Sequence, residues 1–242
     1  MKRWILLLCC ILLALSVTGC TGESSSSDSS SEPSSSQTQL QEDPVDPETA
    51  AALELVAEAD CEAPDFLTEE QQILYRKAYT AYKQFALYTD GFGSTEWSPV
   101  TVEEYDNSFC VGNGSITTWK DYETAMLGLF TPDYLEELNL TVTELEDGTT
   151  LRYAHFADYQ GQLAFSDGAR GSNITYLGPD TFELISQTED EIRFYVIGTY
   201  QDYVENEAGE LVQEGETTQQ KYEIVLTHTE NGWRFSQFAL TI

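Results

Sequence analysis

The chain has 242 residues, of which 42 are Asp or Glu and only 11 are Lys or Arg, for a formal net charge of −31. Such a chain has no basic footprint for phosphate, which excludes DNA and RNA as ordinary partners and sets it against anionic membrane surfaces and wall polymers. What this charge favours is a cation, a basic peptide or a basic protein, which it would steer at low salt.

The first residues form a leader. Lys2 and Arg3 supply a positive end, and Ile5 to Val17 supply an apolar run too short to stay in a bilayer as a spanning helix, so residues 1–19 read as a signal peptide. The run ends in Val17-Thr18-Gly19-Cys20, which resembles the bacterial lipobox. That resemblance implies a diacylglycerol on Cys20, a mature protein beginning there, and a lipid bilayer as the first partner, with the domain on the outer face of the cell membrane. A lipid pair holds a protein far more firmly than one acyl chain, since each buried methylene adds about 0.8 kcal/mol. Loss of the leader would leave nine basic residues against 42 acidic ones.

From Thr21 to about Pro47 the sequence turns to Ser, Glu, Asp, Gln and Pro, with Leu40 and Val45 the only large apolar side chains. So little apolar surface cannot repay the entropy of ordering, and the stretch reads as a solvated tether. Residues 48–59, with Ala50, Ala51, Ala52, Leu53, Leu55 and Val56, suit a short helical lead-in. The tether is assigned to residues 20–59 and a single globular domain to residues 60–242.

A helix opens that domain. Thr68-Glu69-Glu70-Gln71 is a capping-box pattern, and Leu74, Ala78, Ala81, Phe85 and Tyr88 follow at helical spacing. Gly91 and Gly93 are expected to end it. A second helix is predicted over Trp119–Phe130, with Tyr122, Met126 and Leu129 on one face. A third starts at Thr131-Pro132, an N-cap followed by proline in the first turn, and presents Leu135 and Leu138.

After residue 140 the apolar period changes to two, which indicates strands with one covered face. Leu151–Ala157 and Gln162–Ser166 are predicted to pair across Tyr159-Gln160-Gly161. Phe182–Gln187 follows, then Ile192, Phe194, Val196, Gly198 and Tyr200 in alternation with polar positions. Lys221–His228 and Trp233–Leu240 are predicted to form a hairpin around Asn231-Gly232. Helices first and an antiparallel meander afterwards give an α+β fold, with early helices packed on a curved antiparallel β-sheet.

This element order resembles the nuclear-transport-factor-like, or cystatin-like, cone. The resemblance implies a pocket between sheet and helices, for which Tyr153, Phe156, Phe165, Tyr195 and Trp233 are candidate lining residues; the alternative is that they fill the core. Arg152 and Arg170 are candidates for a ligand carboxylate, because guanidinium pairs with it bidentately.

Cys9 and Cys10 lie in the leader and Cys20 is the lipidation site, so Cys61 and Cys110 are the pair available for a disulfide outside the cytoplasm. Sequence leaves open whether their Cα atoms approach closely enough. His155 and His228 lack any close ligand spacing with them, so no metal or cofactor is expected. Cys110, His155 and His228 occur in the chain order of NlpC-type wall peptidases. The context Phe109-Cys110-Val111-Gly112, however, differs from the Asp-Cys-Ser-Gly-like setting those enzymes use to open a helix. Glu103-Glu104 and Glu136-Glu137 are adjacent pairs, which point to different sides of a helix and do not make a glycosidase dyad. No catalytic residue is assigned.

A further set of phrases runs through Trp119 to Leu138, with Leu129-Phe130-Thr131-Pro132-Asp133-Tyr134 at its centre. It continues through the Gly161 turn, Asp167-Gly168-Ala169-Arg170-Gly171, Leu184-Ile185-Ser186-Gln187-Thr188 and Gly232-Trp233-Arg234-Phe235. Together they resemble exported proteins related to the D,L-endopeptidase inhibitor IseA, over about residues 66–242. The resemblance implies a non-catalytic, extracytoplasmic protein that occupies the substrate cleft of a basic cell-wall hydrolase. The lipid anchor and stalk depart from the secreted inhibitor. The alternative is a module that binds a small ligand or wall peptide in the pocket between sheet and helices.

Overall fold

A computed structural model describes residues 46–166, 168–169 and 171–242. The predicted leader, the Cys20 anchor, most of the tether and Arg170 lie outside the described residues. Among the described residues, no helix is long and apolar enough to cross a membrane.

Helix α1 spans Pro47–Leu53, capped by Asp46, whose carboxylate accepts from the backbone N–H of Glu48 and Thr49 at 3.0 Å each. It belongs to the fold and not to the tether, because Ala52 and the following Val56 are buried in the main core. The ordered domain therefore begins before residue 60. Helix α2, Glu69–Ala86, starts with the predicted capping box: Thr68 Oγ1 accepts from Gln71 N–H at 3.3 Å, and Gln71 Oε1 accepts from Thr68 N–H at 3.0 Å. It ends before Tyr88, which lies in strand β1 (Tyr88–Thr89) and is exposed. The Gln84 amide oxygen holds the exit by accepting from Asp90 N–H and Phe92 N–H. Gly91, Phe92 and Gly93 are then all left-handed, a conformation costly for Phe92. Its ring offsets this by stacking on Phe156 at 5.6 Å.

Strands β2 (Trp97–Val100) and β3 (Phe109–Gly112) follow, then α3 (Trp119–Leu129), capped by Thr118, and α4 (Pro132–Asn139). Thr131 occupies the N-cap of α4 but its side chain makes no capping bond. The remaining strands are β4 (Leu140–Glu144), β5 (Thr150–Ala154), β6 (Phe156–Tyr159), β7 (Gln162–Ser166), β8 (Gly168–Ala169), β9 (Thr181–Gln187), β10 (Glu191–Gln201), β11 (Val204–Glu205), β12 (Leu211–Val212), β13 (Thr217–Thr229) and β14 (Gly232–Gln237).

The fold is α+β. Its larger antiparallel sheet runs in the spatial order β14-β13-β10-β9, and a second four-stranded sheet runs β2-β3-β7-β6. The predicted strand Leu151–Ala157 is divided between sheets. Residues up to Ala154 pair with β4, whereas Phe156 onward pairs with β7. The break sits at His155, whose N–H donates to the carbonyl of Asn139. The Asn139 amide then clamps Phe156 at both backbone groups, at 2.8 and 3.0 Å. A side chain from α4 thus redirects the strand.

Two hairpins illustrate turn chemistry. Gln160 and Gly161 both have positive φ, as a two-residue mirror-image turn requires. At the other hairpin Thr229 pairs with Gly232, so the loop residues are Glu230 and Asn231, and the positive φ falls on Gly232 as the first residue of β14. Predicted strand Trp233–Leu240 stops at Gln237.

The main core lies between α2, α3 and the larger sheet. Tyr75, absent from the predicted helix stripe, is its hub, contacting Phe182, Phe194, Phe235 and Phe238 with ring centroids 5.4 to 6.3 Å away. A smaller core of Phe109, Ala154, Ala157 and Ala164 lies with the second sheet.

Candidate functional site

Charge is the first property that the tertiary structure sharpens. Every basic residue among the described residues is engaged by the protein itself. Arg76 pairs with Glu58, Lys120 with Glu48, Arg152 with Glu104, Arg193 with Glu191 and Glu223, and Lys221 with Glu183. Lys83 lies 5.2 Å from the centroid of the Tyr79 ring. Lys77 and Arg234 are buried and donate to backbone carbonyls, Lys77 to Leu53 and Val56, Arg234 to Leu127 and Trp233. Burial pulls the Arg234 guanidinium below its usual range, and the Asp46 carboxylate opposes that shift. Exposed pairs of this kind contribute little to stability. Their consequence is that most carboxylates keep no counter-charge.

One dense run of uncompensated acids lies between residues 202 and 216. The stretch forms an ordered excursion around the β11–β12 hairpin, with Val204 paired to Val212 and Glu205 to Leu211. Asn206 makes its turn by accepting from the N–H groups of Ala208 and Glu210. The Gln213 amide ties the hairpin back to the carbonyls of Thr175 and Gln201. Asp202, Glu205, Glu207, Glu210, Glu214 and Glu216 are all exposed, and no Lys or Arg lies between residues 202 and 216. Tyr203, Val204 and Leu211 are exposed among them, Leu211 at 73%. Acidic and apolar groups together form a surface that can meet a basic cleft by charge and still bury apolar area.

The predicted pocket residues are dispersed. Phe156 is fully buried and packs on Tyr122 at 4.7 Å, while Phe165, its cross-strand partner, lines a small cavity of about 190 Å³ with Thr89, Trp97 and Cys110. Tyr153 is exposed on the β4–β5 hairpin. Tyr195 lies under the Lys221 ammonium, 5.3 Å from its ring centroid, and Trp233 packs against His228 at 4.9 Å. Arg152 reaches Glu104 at 3.5 Å, and its Nε is buried without a hydrogen-bond partner.

Cys61 and Cys110 line separate cavities and are not bonded to one another. Burial pushes the Cys61 thiol up to about 11. Cys110 lies in β3, not at the start of a helix, which removes the dipole that lowers a nucleophilic thiol. His155 Nδ1 meets Thr89 Oγ1 at 3.3 Å, whereas His228 sits in β13 of the other sheet. Among the described residues, no group of three or more His, Cys, Asp or Glu is placed to hold a metal ion.

Two further cavities flank the helices. One of about 280 Å³ lies between α3 and α4, lined by Trp119, Tyr122, Leu127 and Leu135. The other, of about 410 Å³, is bounded by the loop after α1, by α2 and by the segment leading into β9. Sequence periodicity gave no sign of either, because their walls come from segments distant along the chain. Comparison with protein-family models gives no match, and neither does comparison with curated protein sequences.

Proposed function

We propose that this chain is a non-catalytic lipoprotein, tethered through Cys20 to the outer face of the cell membrane, that docks onto a basic cell-wall D,L-endopeptidase and blocks its substrate cleft. The observation that carries this reading is the β11–β12 hairpin, where six exposed carboxylates surround exposed Tyr203, Val204 and Leu211 with no basic residue among them. Such a surface steers a cationic partner from a distance and supplies apolar contact on arrival. The hydrolase as target follows from the sequence resemblance to IseA-type inhibitors. The cystatin-like cone belongs to the same proposal: it is supported by early helices packed against the β14-β13-β10-β9 sheet, while the β2-β3-β7-β6 sheet is an addition to that plan.

The test is inhibition of a purified NlpC-type D,L-endopeptidase by the full chain. At low salt the chain should bind and inhibit, and raising salt should release it. Neutralising Glu205, Glu207 and Glu210 to Gln should weaken the association. Absence of both binding and inhibition at low salt would sink the proposal.

The second reading is a module for a small ligand or wall peptide. The cavities beside α2 and α3 favour it. It predicts that wall peptides raise the melting temperature of the full chain; an unchanged melting temperature removes its support.

A further inference from the structure

The cavity of about 410 Å³ falls in the size range of small-ligand sites, and its walls have one electrostatic character. The loop after α1 brings Asp60, Cys61 and Glu62; α2 brings Tyr79; the segment before β9 brings Tyr176 and Asp180. No Lys or Arg is among its lining residues. The nearby cations are already engaged, Arg76 by Glu58 and Lys83 over the Tyr79 ring.

Two details separate this cavity from a mere gathering of acids. Tyr79 is only 8% exposed and lines the cavity, yet among the described residues its hydroxyl has no hydrogen-bond partner. The hydroxyl opens onto the cavity with none of the described residues holding it, so a ligand there can meet it directly. Asp180 is also held in place, since its Oδ1 accepts from Tyr176 O–H at 2.8 Å and from Thr241 O–H at 2.6 Å. Both bonds fall on one oxygen and leave Oδ2 able to accept from a ligand, with the carboxylate already oriented.

We propose that this cavity binds an organic cation, a primary ammonium or a guanidinium, between Tyr79 and the carboxylates of Asp60, Glu62 and Asp180. The Tyr79 hydroxyl and Asp180 Oδ2 accept its N–H groups, and the tyrosine rings offer a cation a favourable face. The carboxylate of Asp180 makes the potential at these tyrosines negative. Burial, with Asp180 next, pushes the Tyr176 phenol up to about 12, and Asp180 is the first charge after burial to raise Tyr79. The inference deepens the ligand-binding reading by naming a site and a ligand class, and it stands without the hydrolase reading.

The experiment is thermal denaturation of the full chain, followed by Trp fluorescence, in titrations with n-butylguanidinium, 1,5-diaminopentane and the neutral isostere n-butylurea. The cations should stabilise saturably and n-butylurea should not. Asp180→Asn and Tyr79→Phe should each weaken the apparent affinity by about tenfold, as expected for loss of one hydrogen bond to a charged group. Tyr79→Phe keeps the test sound if Asp180→Asn fails to fold, because the hydroxyl supports nothing in the protein. Equal stabilisation by n-butylurea, or wild-type affinity in Tyr79→Phe, overturns the inference. If wall peptides stabilise the chain while both cations do nothing, the ligand reading survives and this inference fails. Tighter binding of N-acetyl-arginine amide than of n-butylguanidinium identifies a basic side chain of a protein partner as the source; the reverse identifies a free small cation.

Discussion

The ammonium of Lys77, in the middle of α2, donates to the carbonyl oxygen of Leu53 at 2.9 Å and so closes the C-terminal end of α1. It also donates to Val56 at 3.0 Å, and its side chain is buried. A cation at a helix C-terminus meets carbonyls with no partner in the helix and the negative end of the dipole. One lysine therefore fastens the lead-in helix to the domain.

Replacing Lys77 with Met keeps the apolar stem and removes these bonds, leaving the carbonyls of Leu53 and Val56 without their donor. We expect a loss of about 2 kcal/mol, measured by urea denaturation, and faster proteolysis near α1 than near the sheets.

Phe156→Ala should act on stability and not on recognition. Its ring is buried against Tyr122, Phe85 and Phe92, so the expected cost is about 3 to 5 kcal/mol. Trp233→Ala, at a half-buried position, should cost less. A loss for Phe156→Ala no larger than that for Trp233→Ala would refute the central packing of the Phe156 ring.

Gly114 has no room for a side chain. A Cβ there would lie 1.9 Å from the carbonyl oxygen of Gly91, so Gly114→Ala must move backbone and not a flexible side chain. A destabilisation of about 2 to 3 kcal/mol is expected. An unchanged denaturation midpoint would refute this contact.

Alkaline pH should unfold the domain through its tyrosines. Burial raises Tyr75 and Tyr122 well above the ordinary phenol value of 10.0, and Tyr176 to about 12. For an acid whose folded pKa is raised, the unfolded chain releases its proton first, so stability is full below about 10 and falls as pH rises from there toward 12. Phenolate absorbance should therefore appear in two stages, the exposed tyrosines first and the buried ones together with loss of tertiary structure. A single stage that leaves the fold intact contradicts it.

Cys61 should alkylate slowly. With burial holding its thiol at about 11 against an ordinary value of 9.0, the thiolate fraction near pH 8 is lower by about a hundredfold. Iodoacetamide modification of the native chain should be slow, and denaturation should restore an ordinary rate.

What was legible in the sequence is local in origin. The capping box at Thr68 and Gln71, the stripe of Ala78, Ala81 and Phe85, and the presence of a turn within Tyr159-Gln160-Gly161 are each decided by neighbouring residues. The same locality explains the errors. Leu151–Ala157 alternates like one strand, but Asn139 from α4 captures Phe156 and sends it to another sheet. Long-range bonds also order the acid-rich stretch after Asp202, which Gln213 ties to Thr175 and Gln201.

By itself the sequence determined the charge, the α+β order of elements, the helix caps and the periodic faces, because composition and short-range spacing carry that information. Only the tertiary structure decided that α1 joins the core through Lys77, that the predicted pocket aromatics are dispersed, and that Asp60, Tyr79 and Asp180 share one cavity. Those relationships join residues far apart in the chain, and no local pattern encodes which carboxylate will face which ring. Their physical cause is burial, which leaves polar groups such as the Lys77 ammonium to find partners wherever the packed chain provides them.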